Sequence, residues 1–161
     1  MSMPETRSSR VSTGASLPLW LRQELPDKAA LAPLSFFKGS GLHTVCQEAK
    51  CPNLGHCFNT GQAAFLILGD TCTRSCRFCN VKKSGSYNKS LRDEPARLRE
   101  AVERLALKYV VVTSVTRDDL PDGGSAVFAQ TIRQLRAISG GIKVEVLIPD
   151  FKGDEKALKY I

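Results

Sequence analysis

The sequence predicts an α/β fold of parallel strands joined by helices, and three observations carry that expectation. First, Ala63–Leu68, Tyr109–Ser114 and Lys143–Ile148 are apolar or β-branched runs of strand length, each bounded by polar or turn residues. Second, the stretches between them place apolar residues at helical spacing, so that strand, loop and helix recur three times. Third, the residues able to do chemistry gather just after these strands, where α/β folds collect their ligands. Sequential βαβ units imply parallel strands with right-handed crossovers. An open doubly wound sheet and a (β/α) barrel both satisfy this arithmetic, and three strands make at most half of a barrel.

In chain order, residues 1–16 are rich in Ser, Thr and Arg without periodicity and read as a disordered tail. Residues 17–62 form an N-terminal extension, in which Leu17-Pro-Leu-Trp20 anchors the chain and Gly39-Ser-Gly41 marks a turn. Residues 63–161 hold the regular α/β part. Its first helix is expected over 95–108, with Leu98, Ala101, Val102, Leu105 and Ala106 on one face and Glu100/Arg104 as an i,i+4 pair on the other. The second helix carries Val127, Phe128, Thr131, Ile132, Leu135 and Ile138 in one stripe and is expected to end at Gly140-Gly141. Gly153-Asp154 opens the third.

Composition narrows the class. The 161 residues fit one domain, and 42% apolar with 24% charged residues is ordinary for a soluble protein. No apolar stretch reaches the length that crosses a bilayer, and no signal peptide is evident, so no membrane partner and a cytoplasmic location are expected. The formal charge of +7 would attract an acidic protein or nucleic acid. The aromatic residues do not interleave with the basic ones as a stacking platform requires, which argues against nucleic acid.

The strongest local signal is six cysteines in two triplets, Cys46/Cys51/Cys57 and Cys72/Cys76/Cys79. A structural zinc site wants four N/S ligands, typically in two close pairs, and both histidines, His43 and His56, lie upstream of the second triplet. Disulfide frameworks suit small secreted chains. Inert buried thiols account for one or two cysteines, hardly six within 34 residues. Three thiolates at spacing C-x3-C-x2-C instead grip three corners of a cubane iron–sulfur cluster and leave the fourth iron open to a small molecule, whereas electron-transfer clusters are normally closed by four cysteines. Two such sets suggest two clusters. His43 and His56 are then either spare ligands or hydrogen-bonded structural histidines.

The C-x3-C-x2-C loop after the first strand, with the aromatic Phe78 before its last cysteine, resembles the radical S-adenosylmethionine superfamily. Within it, Cys46-Gln-Glu-Ala-Lys-Cys51-Pro-Asn, Cys57-Phe58, Cys72-Thr-Arg-Ser-Cys76-Arg-Phe-Cys79, Thr113-Ser-Val-Thr-Arg-Asp-Asp-Leu120 and Pro149-Asp-Phe151 resemble the lipoyl synthase family, from about Pro18 onward. The resemblance implies a partial (β/α) barrel of the radical SAM type with about three βα units and a cysteine-rich N-terminal extension. It implies two 4Fe-4S clusters: one on Cys72, Cys76 and Cys79 that chelates S-adenosylmethionine, with Phe78 against the adenine, and an auxiliary one on Cys46, Cys51 and Cys57 that serves as sulfur source. The implied reaction is a sulfur transfer. A 5′-deoxyadenosyl radical takes hydrogens from carbons 6 and 8 of an octanoyl group, and sulfur fills each carbon to give the lipoyl group.

The partners so implied are an octanoylated lipoyl-carrier protein (a dehydrogenase-complex subunit or the glycine-cleavage H protein) and a reductant such as ferredoxin or flavodoxin. No acid–base dyad is expected, because an unactivated C–H bond offers no such handle. The family takes a fourth auxiliary ligand from an Arg-Ser-Ser-Tyr stretch. This sequence reaches Ile161 without one, and the expectation is a fragment inactive alone. The rival reading is a non-catalytic two-cluster module for electron transfer or sensing. Biotin synthase shares the central loop but leaves the first triplet without a role.

Other candidates stay open at this point. Thr113 and Ser114 either meet the methionine end of the cofactor or cap a strand. Glu145 either faces a polar interior with a ligand or pairs with a lysine. Arg117, Asp118 and Asp119 either pair internally or contact ligand. The basic run Lys82–Lys89 either guides an acidic carrier or is a solvated loop.

Overall fold

A computed structural model describes residue 18 and residues 35–37, 39–83 and 93–161. The expected tail at 1–16, the Trp20 anchor and positions 84–89 of the basic run lie outside the described residues. In chain order the elements are β1 His43–Thr44, α1 Val45–Glu48, α2 Leu54–Asn59, β2 Gln62–Ile67, β3 Thr71–Cys72, β4 Lys82–Lys83, α3 Glu94–Arg104, β5 Tyr109–Ser114, α4 Ser125–Arg136, β6 Lys143–Leu147 and α5 Glu155–Tyr160.

The three long strands lie parallel in the order β2-β5-β6, with Ala64 opposite Val111 and Val111 opposite Glu145. Two helical crossovers, α3 and α4, make these parallel neighbours, as the strand–helix alternation requires. β1 adds a short antiparallel edge to β2, with His43 opposite Leu66. Two residues are too few to show a period, so this strand leaves no mark in the sequence. β3 and β4 form a separate two-stranded ribbon across the second cysteine triplet.

Strand alternation divides the sheet into two unlike faces. Phe65, Ile67, Val110 and Val112 point to one side and are almost wholly buried, in a core shared with Leu98 and Val102 of α3 and Phe128 and Leu135 of α4. Burying side chains of this size stabilises a fold by roughly 1.5–3 kcal/mol each. Thr113, Glu145 and Leu147 belong to the opposite face, whose β6 part is uncovered among the described residues, and Leu147 remains 53% exposed.

Two helices end earlier than their periodicity suggests. α3 stops at Arg104 rather than 108, because Ala106 takes φ +48 and the chain closes a Schellman turn, Leu107 N–H to Val102 O and Ala106 N–H to Glu103 O. Leu105 and Ala106 therefore belong to the cap. α4 ends at Arg136, before Gly140-Gly141, although Ile138 still packs on the core. At its other end Gly124 caps α4 at φ +93, and a Cβ there would run into the Leu68 side chain. Only glycine meets both demands. The segment of the first cysteine triplet holds the short helices α1 and α2.

Candidate cluster-binding site

The site starts where β2 ends. Leu68 and Gly69 turn through φ +68 and +94, which redirects the chain into the cysteine loop. Glu94, at the start of α3 and 2% exposed, accepts the Leu68 N–H at 2.8 Å. Arg117, 5% exposed, donates to the Leu68 carbonyl at 3.2 Å and forks onto Asp119 with two bonds of 2.8 Å. Both sides of the turn are thus held by buried charged groups, each with a partner. Desolvation lifts the Glu94 carboxyl above its ordinary value, and the backbone bonds from Leu68 and Gly69 oppose the rise. The Arg117 guanidinium holds Asp119 below the usual carboxylate range.

The loop is then fastened to the ends of β5 and β6. The Thr73 backbone N–H and Oγ1 both donate to the Thr116 carbonyl, and Thr73 Oγ1 accepts the Asp118 N–H. Arg74 reaches Asp118 through Nε and Nη2 and Asp150 through Nη1 and Nη2, at 2.8 to 3.0 Å. These bonds pull both carboxyls down, Asp150 to about 2. Cys72 and Cys79 are half-buried, Cys76 is exposed, and a tight turn joins the Cys79 N–H to the Cys76 carbonyl. Phe78 stands 94% exposed beside them.

The first triplet spans α1, the connection after it and α2, with Cys51 in the connection. Thr44 caps α1 by accepting the Gln47 N–H, Cys46 lies on α1, and Cys57 sits within α2. The Cys51 N–H returns to the Cys46 carbonyl at 2.9 Å. All three cysteines are half-buried. Burial pushes the Cys57 thiol up, and the neighbouring Cys46 and Cys51 add to the rise, which places the three within one electrostatic neighbourhood. Asn80, next to Cys79, donates from Nδ2 to the Glu48 carbonyl at 3.2 Å and so bridges the two triplets. Among the described residues no three His, Cys, Asp or Glu side chains converge on a point suited to a single ion. A cubane does not ask for that convergence, since each thiolate ligates its own iron.

The remaining candidates separate by strand alternation. Thr113 lies on the partly uncovered face and donates Oγ1 to the Leu147 carbonyl at 3.0 Å, tying β5 to β6. Ser114 points to the other side, and its buried Oγ has no hydrogen-bond partner among the described residues. Glu145 is on the partly uncovered face, where it accepts the Tyr109 hydroxyl rather than a lysine, and this bond raises the Tyr109 hydroxyl's pKa. Arg117 and Asp119 pair internally, whereas Asp118 pairs with Arg74 and with Lys152. His43 Nδ1 lies 3.7 Å from the Glu48 carboxylate. Of the basic run, Lys82 pairs with Asp70 at 2.8 Å and Lys83 donates to the Cys76 carbonyl at 3.2 Å.

Thr73, Arg74 and Glu94 escape a reading of the sequence alone. Thr73 and Arg74 look like spacers between cysteines, and Glu94 looks like an ordinary acid in a first helical turn. Their partners lie 26 to 76 residues away along the chain.

A superfamily-wide pattern, the radical SAM superfamily, matches residues 66–161, and the chain belongs to that superfamily. Among curated proteins it is similar to the lipoyl synthase of Nitratidesulfovibrio vulgaris strain Hildenborough, 51% identical over all of this chain and 53% of that protein. The lipoyl synthases of Pyrobaculum arsenaticum (47% identical, 91% of this chain, 50% of that one) and Trichlorobacter lovleyi (51%, 89% and 51%) are also similar. The chain spans about half the length of the curated relatives it matches. No helix among the described residues is long and apolar enough to cross a membrane.

Proposed function

We propose that this chain contributes the cluster-binding part of a lipoyl synthase, which inserts two sulfur atoms at carbons 6 and 8 of a protein-bound octanoyl group. The single observation that carries the reading is the pair of three-cysteine sets flanking β2 and bridged by Asn80 and Glu48. Each set has the donors for a cubane cluster with one open iron, and each is half-exposed, as a site that admits iron and ligand must be.

In this reading residues 17–62 form an extension whose Cys46, Cys51 and Cys57 hold the auxiliary cluster. Residues 63–161 form part of a radical SAM barrel, with the partly uncovered face of the sheet as its interior. Cys72, Cys76 and Cys79 hold the second cluster and leave one iron for S-adenosylmethionine. Phe78 offers its exposed ring to the adenine, and Thr113, with Glu145 beside it, faces the interior where the methionine end lies. Ser114 points to the helix-packed side of the same strand end, so Thr113 is the hydroxyl assigned to the cofactor. When bound, the cluster and S-adenosylmethionine together supply an electron and a carbon radical able to abstract hydrogen from an unactivated carbon. The protein supplies position: Glu94 and Arg117 fix the turn into the loop, and Thr73 fixes the loop against β5. An octanoylated carrier protein is the substrate, a small cytoplasmic redox protein such as ferredoxin or flavodoxin the electron donor.

The test is spectroscopic. After anaerobic reconstitution and reduction, adding S-adenosylmethionine is expected to change the electron-paramagnetic-resonance spectrum, because an amino acid then completes the open iron. An unchanged spectrum would favour two closed electron-transfer clusters instead.

A further inference from the structure

Within the cysteine loop, the residue after Thr73 spans to two other strand ends. Arg74 donates Nε and Nη2 to Asp118, which follows β5, and Nη1 and Nη2 to Asp150, which follows β6. Its own backbone N–H lies 3.4 Å from Cys72 Sγ. Two oxygens of each carboxylate receive a fixed planar fork, an arrangement lysine cannot copy. The far ends of this strut are themselves anchored. Asp150 also accepts the Lys152 N–H at 3.1 Å, and Lys152 donates Nζ to the Asp118 carbonyl at 3.0 Å. Phe151 and Lys152 are held at φ +44 and +54, a backbone region that non-glycine residues occupy only when the surroundings impose it. Phe151 is buried here and packs edge-on against Phe128 at 6.1 Å.

We propose that Arg74 is a positioning residue for the Cys72/Cys76/Cys79 cluster: its guanidinium, clamped by Asp118 and Asp150, keeps its backbone N–H on Cys72 Sγ and so sets both the retention and the reduction potential of that cluster. The inference rests on the cluster reading above and goes beyond it, since ligand spacing says nothing of what steadies the ligands. Hydrogen bonds to ligating sulfur are one of the means by which a protein moves the potential of an iron–sulfur centre. Groups that orient metal ligands from behind commonly govern affinity as strongly as they govern geometry.

The experiment compares wild type with Arg74→Lys, Arg74→Ala and the double variant Asp118→Asn/Asp150→Asn, each as the full 161-residue chain with its clusters reconstituted. Circular dichroism and thermal unfolding of each chain before reconstitution establish that the fold is kept. Arg74→Lys preserves the charge but loses the fork, so a more negative midpoint potential in that variant reports the sulfur bond and not the net charge. All three variants are expected to release iron to a chelator about 10-fold faster than wild type, the scale on which such outer groups act. Wild-type potential in Arg74→Lys together with wild-type iron release in all three would overturn the proposal and leave the cluster reading standing. A wild-type chain that binds no iron at this loop would overturn both.

Discussion

The carboxylate of Glu94 accepts the backbone N–H of Leu68 at 2.8 Å, so the first residue of α3 holds the turn that leads from β2 into the cysteine loop. A surface acid in a first helical turn acts on the helix dipole. This one is 2% exposed and satisfies a buried donor of another element. Glu94→Ala is expected to cost about 1–3 kcal/mol, the penalty of leaving such a donor unpaired, measured by denaturant unfolding. Glu94→Gln keeps an acceptor oxygen and should cost less. Burial raises this carboxyl above the 4.5 of an ordinary glutamate, so the folded state takes the proton more readily than the unfolded one. Its contribution is full below 4.5 and declines as pH rises through the folded value. Glu94→Gln should remove that decline, and an identical pH dependence in the two proteins would contradict the assignment.

Asp150 shifts the opposite way. The bonds from Arg74 lower its carboxyl from 3.8 to about 2. A depressed carboxylate contributes stability that is present above the unfolded value and is lost as pH falls through the folded one. The stability difference between wild type and Asp150→Asn should therefore be constant above about 4 and shrink as pH falls toward 2. Because the pair is solvent-exposed, added salt should reduce the difference at neutral pH. Chemical unfolding across this pH range checks both statements.

How far the sequence discloses this molecule depends on the range of each interaction. The three βα repeats are legible because period 2 and period 3.6 are local, and Tyr109–Ser114 is read to the residue. The six cysteines are legible because ligand spacing is local too. Helix α3 overruns in a periodic reading because Leu105 and Ala106 continue the apolar stripe into a Schellman cap, and Ala106 carries no glycine signal at its positive φ. The tethers of the site are silent for another reason. Arg74 and Asp150 stand 76 residues apart, and nothing local distinguishes an arginine that reaches two strand ends from one that points to water. Glu145 illustrates the same limit: its hydrogen-bond partner is Tyr109, one strand away, and not a lysine.

Phe78 and Leu98 make opposite predictions from one kind of residue. Leu98 is fully buried between α3 and the sheet, and Leu98→Ala should destabilise the fold by about 2–5 kcal/mol through lost burial and the cavity left behind. Phe78 is 94% exposed and packs against nothing that folding must bury, so Phe78→Ala should change stability by no more than about 0.5 kcal/mol. Its effect should surface only with ligand present, as weaker binding of S-adenosylmethionine in equilibrium dialysis against the reconstituted chain. Unchanged binding with unchanged stability would leave the ring without the role assigned to it.

The last prediction concerns the two cysteine sets as independent units. They lie on separate elements, Cys46 and Cys57 on α1 and α2, Cys72 to Cys79 on the loop after β2, and Asn80 makes the bridge between them by a single exposed bond. Neither set contributes a residue to the buried core, although Cys72 packs against its rim. Replacing Cys46, Cys51 and Cys57 together by alanine should therefore leave a folded chain that binds roughly half the iron and sulfide of wild type, since each cubane is held by its own thiolates. Replacing Cys76 and Cys79 should remove the other half and, with it, any response of the resonance spectrum to S-adenosylmethionine. The first variant should keep that response. Iron and sulfide analysis beside the spectrum separates the two sets. Loss of all iron in either variant would mean one shared centre instead of two, because a cluster gripped from both triplets cannot survive the removal of either.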